Sequence, residues 1–188
     1  MKEIEILVEV FSSPEEVIKV LEKFEFLGVK DTIDIYYYDP LRNNLKPNSN
    51  MQIDECLRLR MKNEMRTLTY KVDNFDENGK WLYSDEYETE IENDNMLKEI
   101  IKLLGLKELL TINNSKRTYK YNDYEIVFET VKDLGYFLEV EYCTKEEVDV
   151  KEVKKEIQKF IDSLNLSVSK ELNMGKPEMM IRKNNIEV

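Results

Sequence analysis

Six segments of this chain alternate apolar and charged residues, the period-two pattern of strands with one face against a core and the other kept polar. Acidic faces come from Glu3-Ile4-Glu5-Ile6, Tyr87-Glu88-Thr89-Glu90-Ile91 and Phe137-Leu138-Glu139-Val140-Glu141. Basic faces come from Leu57-Arg58-Leu59-Arg60-Met61-Lys62 and Leu68-Thr69-Tyr70-Lys71-Val72. Ile126-Val127-Phe128-Glu129 adds a lone carboxylate. With their neighbours, these segments predict strands at Glu3–Phe11, Asp31–Asp39, Glu55–Lys62, Thr67–Val72, Trp81–Glu92, Ser115–Tyr121, Tyr124–Val131 and Tyr136–Tyr142.

Helical spacing appears between them. Ser13 reads as an N-cap, with Pro14 in the first turn, Glu16 completing a capping box, and Val17, Ile18, Leu21 and Phe24 as the apolar stripe. Gly28 is expected to end that helix. A second helix is predicted over Asn95–Leu104, with Leu97, Ile100, Ile101 and Leu104 as its stripe and Gly105 closing it. A third starts at Asp149 and buries Val153, Ile157, Phe160, Ile161 and Leu164. Pro40–Asn50 reads as a polar loop. The Met-rich tail after Ser167 holds a short helix around Glu178–Arg182, its methionines suited to packing or to closing one tunnel mouth. Phe26-Leu27-Gly28-Val29-Lys30-Asp31 and Leu103-Leu104-Gly105-Leu106-Lys107-Glu108 echo one another, each placed at a helix end leading into a strand.

On an open antiparallel sheet every charged face would meet water. Amphipathic helices, however, need the strands' apolar faces for cover, which leaves the charged faces free to curl inward. Eight strands suffice to close a barrel that holds side chains and one small ligand. The expected fold is therefore α+β: an eight-stranded antiparallel β-barrel with a charged lumen and helices packed outside. Carboxylates hold hard divalent cations, and guanidinium and ammonium groups hold phosphate oxygens. One surface offering both suits a metal–polyphosphate ligand.

Composition narrows the chemistry. With 39 acidic and 28 basic residues the net charge is −11, which argues against a bulk electrostatic grip on nucleic acid or anionic lipid. There is no histidine, so proton transfer or metal ligation must use carboxylate, Lys, Arg, Tyr or metal-bound water. Cys56 and Cys143 are too few and too far apart for a zinc site or a disulfide framework. Met1-Lys2-Glu3 runs straight into a charged strand and no apolar run reaches membrane-spanning length, so a cytoplasmic location is expected.

At this point the motifs resemble a known family. Glu3-Ile4-Glu5 is similar to the start of the E-x-E-x-K signature of the CYTH superfamily, the triphosphate tunnel metalloenzymes. Asp34-Ile35-Tyr36-Tyr37, Leu57-Arg58-Leu59-Arg60, Leu68-Thr69-Tyr70-Lys71, Glu88-Thr89-Glu90, Lys116-Arg117 and Leu134-Gly135-Tyr136-Phe137-Leu138-Glu139-Val140-Glu141 follow in the family's order. The resemblance implies a single CYTH domain over 1–188, with motifs in 1–142 and a C-terminal helix and tail over 149–188. It implies Mg²⁺ or Mn²⁺ on Glu3, Glu5, Glu129, Glu139 and Glu141. It places a triphosphate on Arg58, Arg60, Lys71, Lys116 and Arg117, with Glu88 and Glu90 in support.

The pattern looks most like the class IV adenylate cyclase branch, which converts ATP to cyclic AMP and pyrophosphate. Hydrolysis of inorganic or thiamine triphosphate is the alternative, and a catalytically weak nucleotide- or polyphosphate-binding module is a further one. A small triphosphate molecule is the implied partner, with the chain a monomer or homodimer and neither nucleic acid nor membrane involved. Two positions depart from the pattern. Leu7 stands where the signature has lysine, and Ser84 where cyclases often carry a basic residue. A lumen short of one cation favours binding over turnover, and Leu7→Lys is expected to raise triphosphate affinity or kcat/KM. The resemblance assigns no role to Lys176-Pro177.

Overall fold

The computed structural model describes residues 2–48 and 52–186. Residues 49–51, at the end of the predicted polar loop, lie outside the described residues, as do Met1 and residues 187–188. Eight strands close into a barrel in the order β1-β5-β4-β3-β2-β6-β7-β8. They are β1 (Lys2–Glu9), β2 (Glu25–Tyr38), β3 (Glu55–Lys62), β4 (Met65–Phe75), β5 (Trp81–Glu90), β6 (Lys107–Tyr121), β7 (Tyr124–Val131) and β8 (Gly135–Thr144). All neighbouring pairs are antiparallel. Closure gives each strand a partner on both sides and turns one side chain in two into the lumen.

The helices are α1 (Pro14–Leu21), α2 (Asp94–Leu103), α3 (Val150–Ser163) and α4 (Lys176–Asn184). Ser13 caps α1 through the predicted box, accepting from the Glu16 amide while the Glu16 carboxylate accepts from the Ser13 amide. Asp149 caps α3 by accepting from the amides of Lys151 and Glu152. α1 and α3 bury Val17, Leu21, Ile157 and Ile161 against the outward apolar faces of β1, β7 and β8, where Ile4, Ile126, Leu138 and Val140 are fully buried. α2 covers β2 and β3 through Leu97 and Ile101 alone. Ile100 and Leu104, expected on its buried stripe, are exposed because the helix touches the barrel along a narrow seam.

Gly28 does not end α1. The helix stops at Leu21, and Gly28 lies inside β2 at a register shift between Phe26 and Gly28, with φ +125. That backbone region is costly for residues with a Cβ, so glycine serves a bulge in this strand. Gly105 does follow its helix, so only one of the two echoed segments sits at a helix end.

The tail closes the barrel in two ways. β1 pairs with β5 only at Lys2 and Glu3. Farther along, residues 167–172 lie beside β1, where the amides of Ser169 and Leu172 donate to the carbonyls of Glu9 and Leu7 at 2.9 and 2.8 Å. Lys154 on α3 fixes this run, bonding the Trp81 carbonyl and the Glu171 carboxylate, each at 2.7 Å. α4 then turns into one end of the barrel. There Met180 and Ile181 pack on Leu7, Ile112, Val131 and Phe137. One helix is thus a plug, while the other three lie outside as expected.

Ile157 is 0% exposed at the centre of the outer core. Ile157→Ala is expected to cost about 2–5 kcal/mol, read as a lower denaturant midpoint at unchanged slope. A loss under about 1 kcal/mol would show that α3 does not hold this core.

Candidate active site in the barrel lumen

The inward positions of all eight strands line one cavity of about 270 Å³, which α4 closes at one end. This is the volume of roughly nine liquid waters at about 30 Å³ each, room for a short phosphate chain. Glu3, Glu5 and Leu7 come from β1, Arg58 and Arg60 from β3, Lys71 from β4, Glu86 and Glu88 from β5, Lys116 from β6, Glu129 from β7, and Glu139 and Glu141 from β8. The alternation that marked these strands in the sequence is what aims the side chains inward.

Two predicted residues lie elsewhere. Arg117 does not line the lumen: its neighbour Lys116 takes the inward position, so Arg117 faces out and stacks on the Phe26 ring at 4.9 Å. Glu90 sits past the rim, exposed at the end of β5. Other lumen residues had no assigned role in the sequence. Asp34 holds Arg60 with two hydrogen bonds of 2.8 Å. Glu86 lies 3.3 Å from Lys71 and two positions before Glu88, a spacing that would have revealed it. Lys176 and Glu178 arrive on the plug, where no strand periodicity could find them. Ser84 is buried, donates to Asp73 at 2.6 Å and accepts from the Trp81 indole.

The cations are held in place by carboxylates. Lys71 lies 3.0 Å from Glu3 and 3.2 Å from Glu5. Arg58 is buried and donates to Thr69 at 3.2 Å and to Glu88 at 3.4 Å. Its Nε has no hydrogen-bond partner among the described residues, so one guanidinium donor remains for a ligand oxygen. Lys116 lies 3.7 Å from Glu129. Lys176 pairs with Glu129 and lies 2.5 Å from Glu139.

Charge does not balance. Among the described residues, eleven carboxyl groups and seven cationic side chains line the lumen, an excess of four carboxyls. Their behaviour follows from that excess. Burial pushes the Glu5 carboxyl from an ordinary 4.5 up to about 8, with Lys71 opposing and Glu139 and Glu3 adding to the rise. Burial, then Glu3 and Glu139, push Glu141 well above the carboxylate range. Burial also acts against charge on Glu139, but the ammonium groups of Lys176 and Lys116 hold it well below the usual value. Burial likewise opposes charge on Asp34, and Arg60 outweighs it, bringing Asp34 down to about 2.

Oxygen atoms of Glu5, Glu139 and Glu141 lie within 4.8 Å of one another. Three carboxyls at that separation, two of them drawn toward protonation, fit a hard divalent cation, which takes oxygen ligands and relieves their repulsion. Glu3 stands beside this trio, grouped with Glu141 and Cys143. Glu129 is apart, held by the two lysines. Leu7 faces the lumen, as its spacing from Glu3 and Glu5 requires, but is only 2% exposed beneath Met180 and Ile181.

This geometry agrees with comparisons to known proteins. The CYTH domain family model matches residues 1–173. The chain belongs to the CYTH domain family. A Methanocaldococcus jannaschii protein named "Putative adenylate cyclase" is 32% identical over 169 residues, 89% of this chain and 91% of its own length. A Pyrococcus horikoshii OT3 protein of solved structure is 30% identical, with a TM-score of 0.79 over 95% of this chain and 99% of that one. A Hippeastrum protein, described as a "putative adenylyl cyclase" with a dominant triphosphatase activity, shares the fold at 15% identity and a TM-score of 0.65 over 100% of this chain and 98% of that one. Among the described residues, no helix of this CYTH chain is long and apolar enough to cross a membrane.

The Glu5 shift sets a pH dependence. Between about 4.5 and 8 the folded chain keeps a proton on Glu5 that the unfolded chain has lost. Stability of the metal-free protein therefore falls as pH rises through that window. Asp34 acts lower: its contribution is complete above about 3.8 and fades as pH falls toward 2. In chelator, the Tm is expected to drop between about pH 5 and 8, with a shallower drop in Glu5→Gln. Equal slopes in the two proteins would show that Glu5 is not the group responsible.

Proposed function

We propose that this protein is a divalent-metal-dependent enzyme that takes the triphosphate end of its substrate into the lumen and cleaves the phosphate chain. The observation that carries this is the union, in one dead-ended cavity, of a compact carboxylate trio with Arg58, Arg60, Lys71 and Lys116. Glu5, Glu139 and Glu141, with Glu3 adjacent, would hold Mg²⁺ or Mn²⁺. When bound, the ion neutralises phosphate charge and polarises the bond to be broken. The protein's own groups orient the chain. Arg58 offers its unpartnered Nε to a non-bridging oxygen, and the two-pronged Asp34–Arg60 pair fixes the neighbouring guanidinium in advance.

Hydrolysis is the reading we favour, because an inorganic triphosphate needs nothing beyond the cavity already formed. Water adds to the terminal phosphorus, the bond from that phosphorus to the bridging oxygen breaks, and diphosphate, orthophosphate and a proton leave. Adenylate cyclisation is the second reading, supported by the name of the 32%-identical relative. In that reaction the ribose 3′-oxygen attacks the α-phosphorus, losing its proton as pyrophosphate departs.

One assay separates the two. Purified protein with Mg²⁺ or Mn²⁺ is given inorganic triphosphate, thiamine triphosphate or ATP, and phosphate and cyclic AMP are measured separately. Chelator-sensitive phosphate release is expected, and Arg58→Ala should lower kcat/KM about tenfold or more. Cyclic AMP and pyrophosphate from ATP without orthophosphate would establish the cyclase reading. No turnover of any triphosphate by the folded, metal-supplemented protein would overturn both.

A further inference from the structure

We propose that Lys176, on the first turn of the plug helix α4, is a phosphate-binding residue of this lumen and supplies from the tail the ammonium that β1 does not carry at Leu7. This rests on the reading that the lumen takes a triphosphate.

Register makes the argument. Leu7 is the third inward position of β1 and lies directly across from Glu139 on β8. A cation carried on β1 at this level would stand against the Glu139 carboxylate. Lys176 Nζ stands there instead, 2.5 Å from Glu139 and also paired with Glu129. Its side chain is 11% exposed and lines the same cavity as Arg58 and Lys71. An ammonium with three donors and two carboxylate partners keeps one donor for a ligand.

Leu7 has its own part. It forms the floor on which Met180 and Ile181 sit, and Ile181 is fully buried. The apolar side chain at position 7 therefore seats the helix that delivers Lys176. An ammonium at position 7 would meet that apolar floor and a second ammonium nearby, so the gain expected of Leu7→Lys from the sequence is not supported by this packing. The two positions act as an exchange: charge moved from strand to tail, and apolar surface moved from tail contact to strand. Because α4 closes its end of the barrel, the Lys176 ammonium meets whichever part of the chain enters deepest, which is its terminal phosphate.

Lys176→Met and Lys176→Arg test this, with circular dichroism as the check of fold. Binding is measured by calorimetry for inorganic triphosphate with Mn²⁺ and, separately, for Mn²⁺ alone. Lys176→Met is expected to weaken triphosphate binding about ten- to a hundredfold. Mn²⁺ binding should be unchanged or tighter, because the metal no longer competes with an ammonium for Glu139. Lys176→Arg should restore most of the triphosphate affinity. A merely structural role would weaken both ligands together, and that result, or triphosphate binding unchanged in Lys176→Met, would overturn the proposal while leaving the lumen reading intact. Failure of the unmodified protein to bind triphosphate at all would overturn both.

Discussion

A carboxylate removed from water must find a cation, a proton or a metal ion, and this barrel holds four more carboxyl groups than cationic side chains around one small cavity. The rest of the lumen follows from that excess. The cations are engaged, each held against at least one carboxylate, so they stay oriented without a ligand. Surplus negative charge gathers at Glu5, Glu139 and Glu141, where Glu5 and Glu141 are driven toward protonation while Glu139 stays ionised beside Lys176. Such a site resists a bare polyphosphate and welcomes one that comes with a divalent cation. Metal dependence and polyanion binding are thus two sides of one charge balance.

The fold makes the balance possible by spending its apolar surface elsewhere. Outward faces of β1, β7 and β8 are sealed by α1 and α3, which leaves the inward faces free to be polar. The closure nevertheless has a weak side, since β1 and β5 share only two residue pairs. The tail covers that side, pinned by Lys154 and Glu171, and continues into the plug. Access to the lumen, the position of Lys176 and the burial of Leu7 all depend on this run. A segment that looks like an appendix in the sequence is part of the site wall.

Much of this was legible in advance. Alternation has a period of two wherever a strand has two chemically different faces, so all eight strands and eleven of the twelve residues assigned to the site could be placed on strand faces, among which Arg58, Lys71, Glu139 and Glu141 proved to share one cavity. The failures have physical causes. Adjacent residues on a strand face opposite ways, so Lys116 and Arg117 could not both enter the lumen, and register chose Lys116. Gly28 resembles a helix stop, but its positive φ serves a strand bulge, and isolated glycines do not say which. Helix stripes mark what can be buried rather than what is, as the exposed Ile100 and Leu104 show. Lys176 was out of reach because its approach to Glu129 and Glu139 depends on chain reversal across long sequence separation, which no local pattern encodes.

The charge balance is most directly tested by counting the protons released when metal binds. If Glu5 and Glu141 hold protons in the metal-free lumen near neutral pH, a divalent cation must displace them. Titrating Mn²⁺ into the protein at pH 7 in buffers of different ionisation enthalpy gives that count from the slope of observed heat. The account predicts release of about one to two protons per bound ion. Tight binding with no proton released would contradict it, since the carboxyl excess would then be carried as charge.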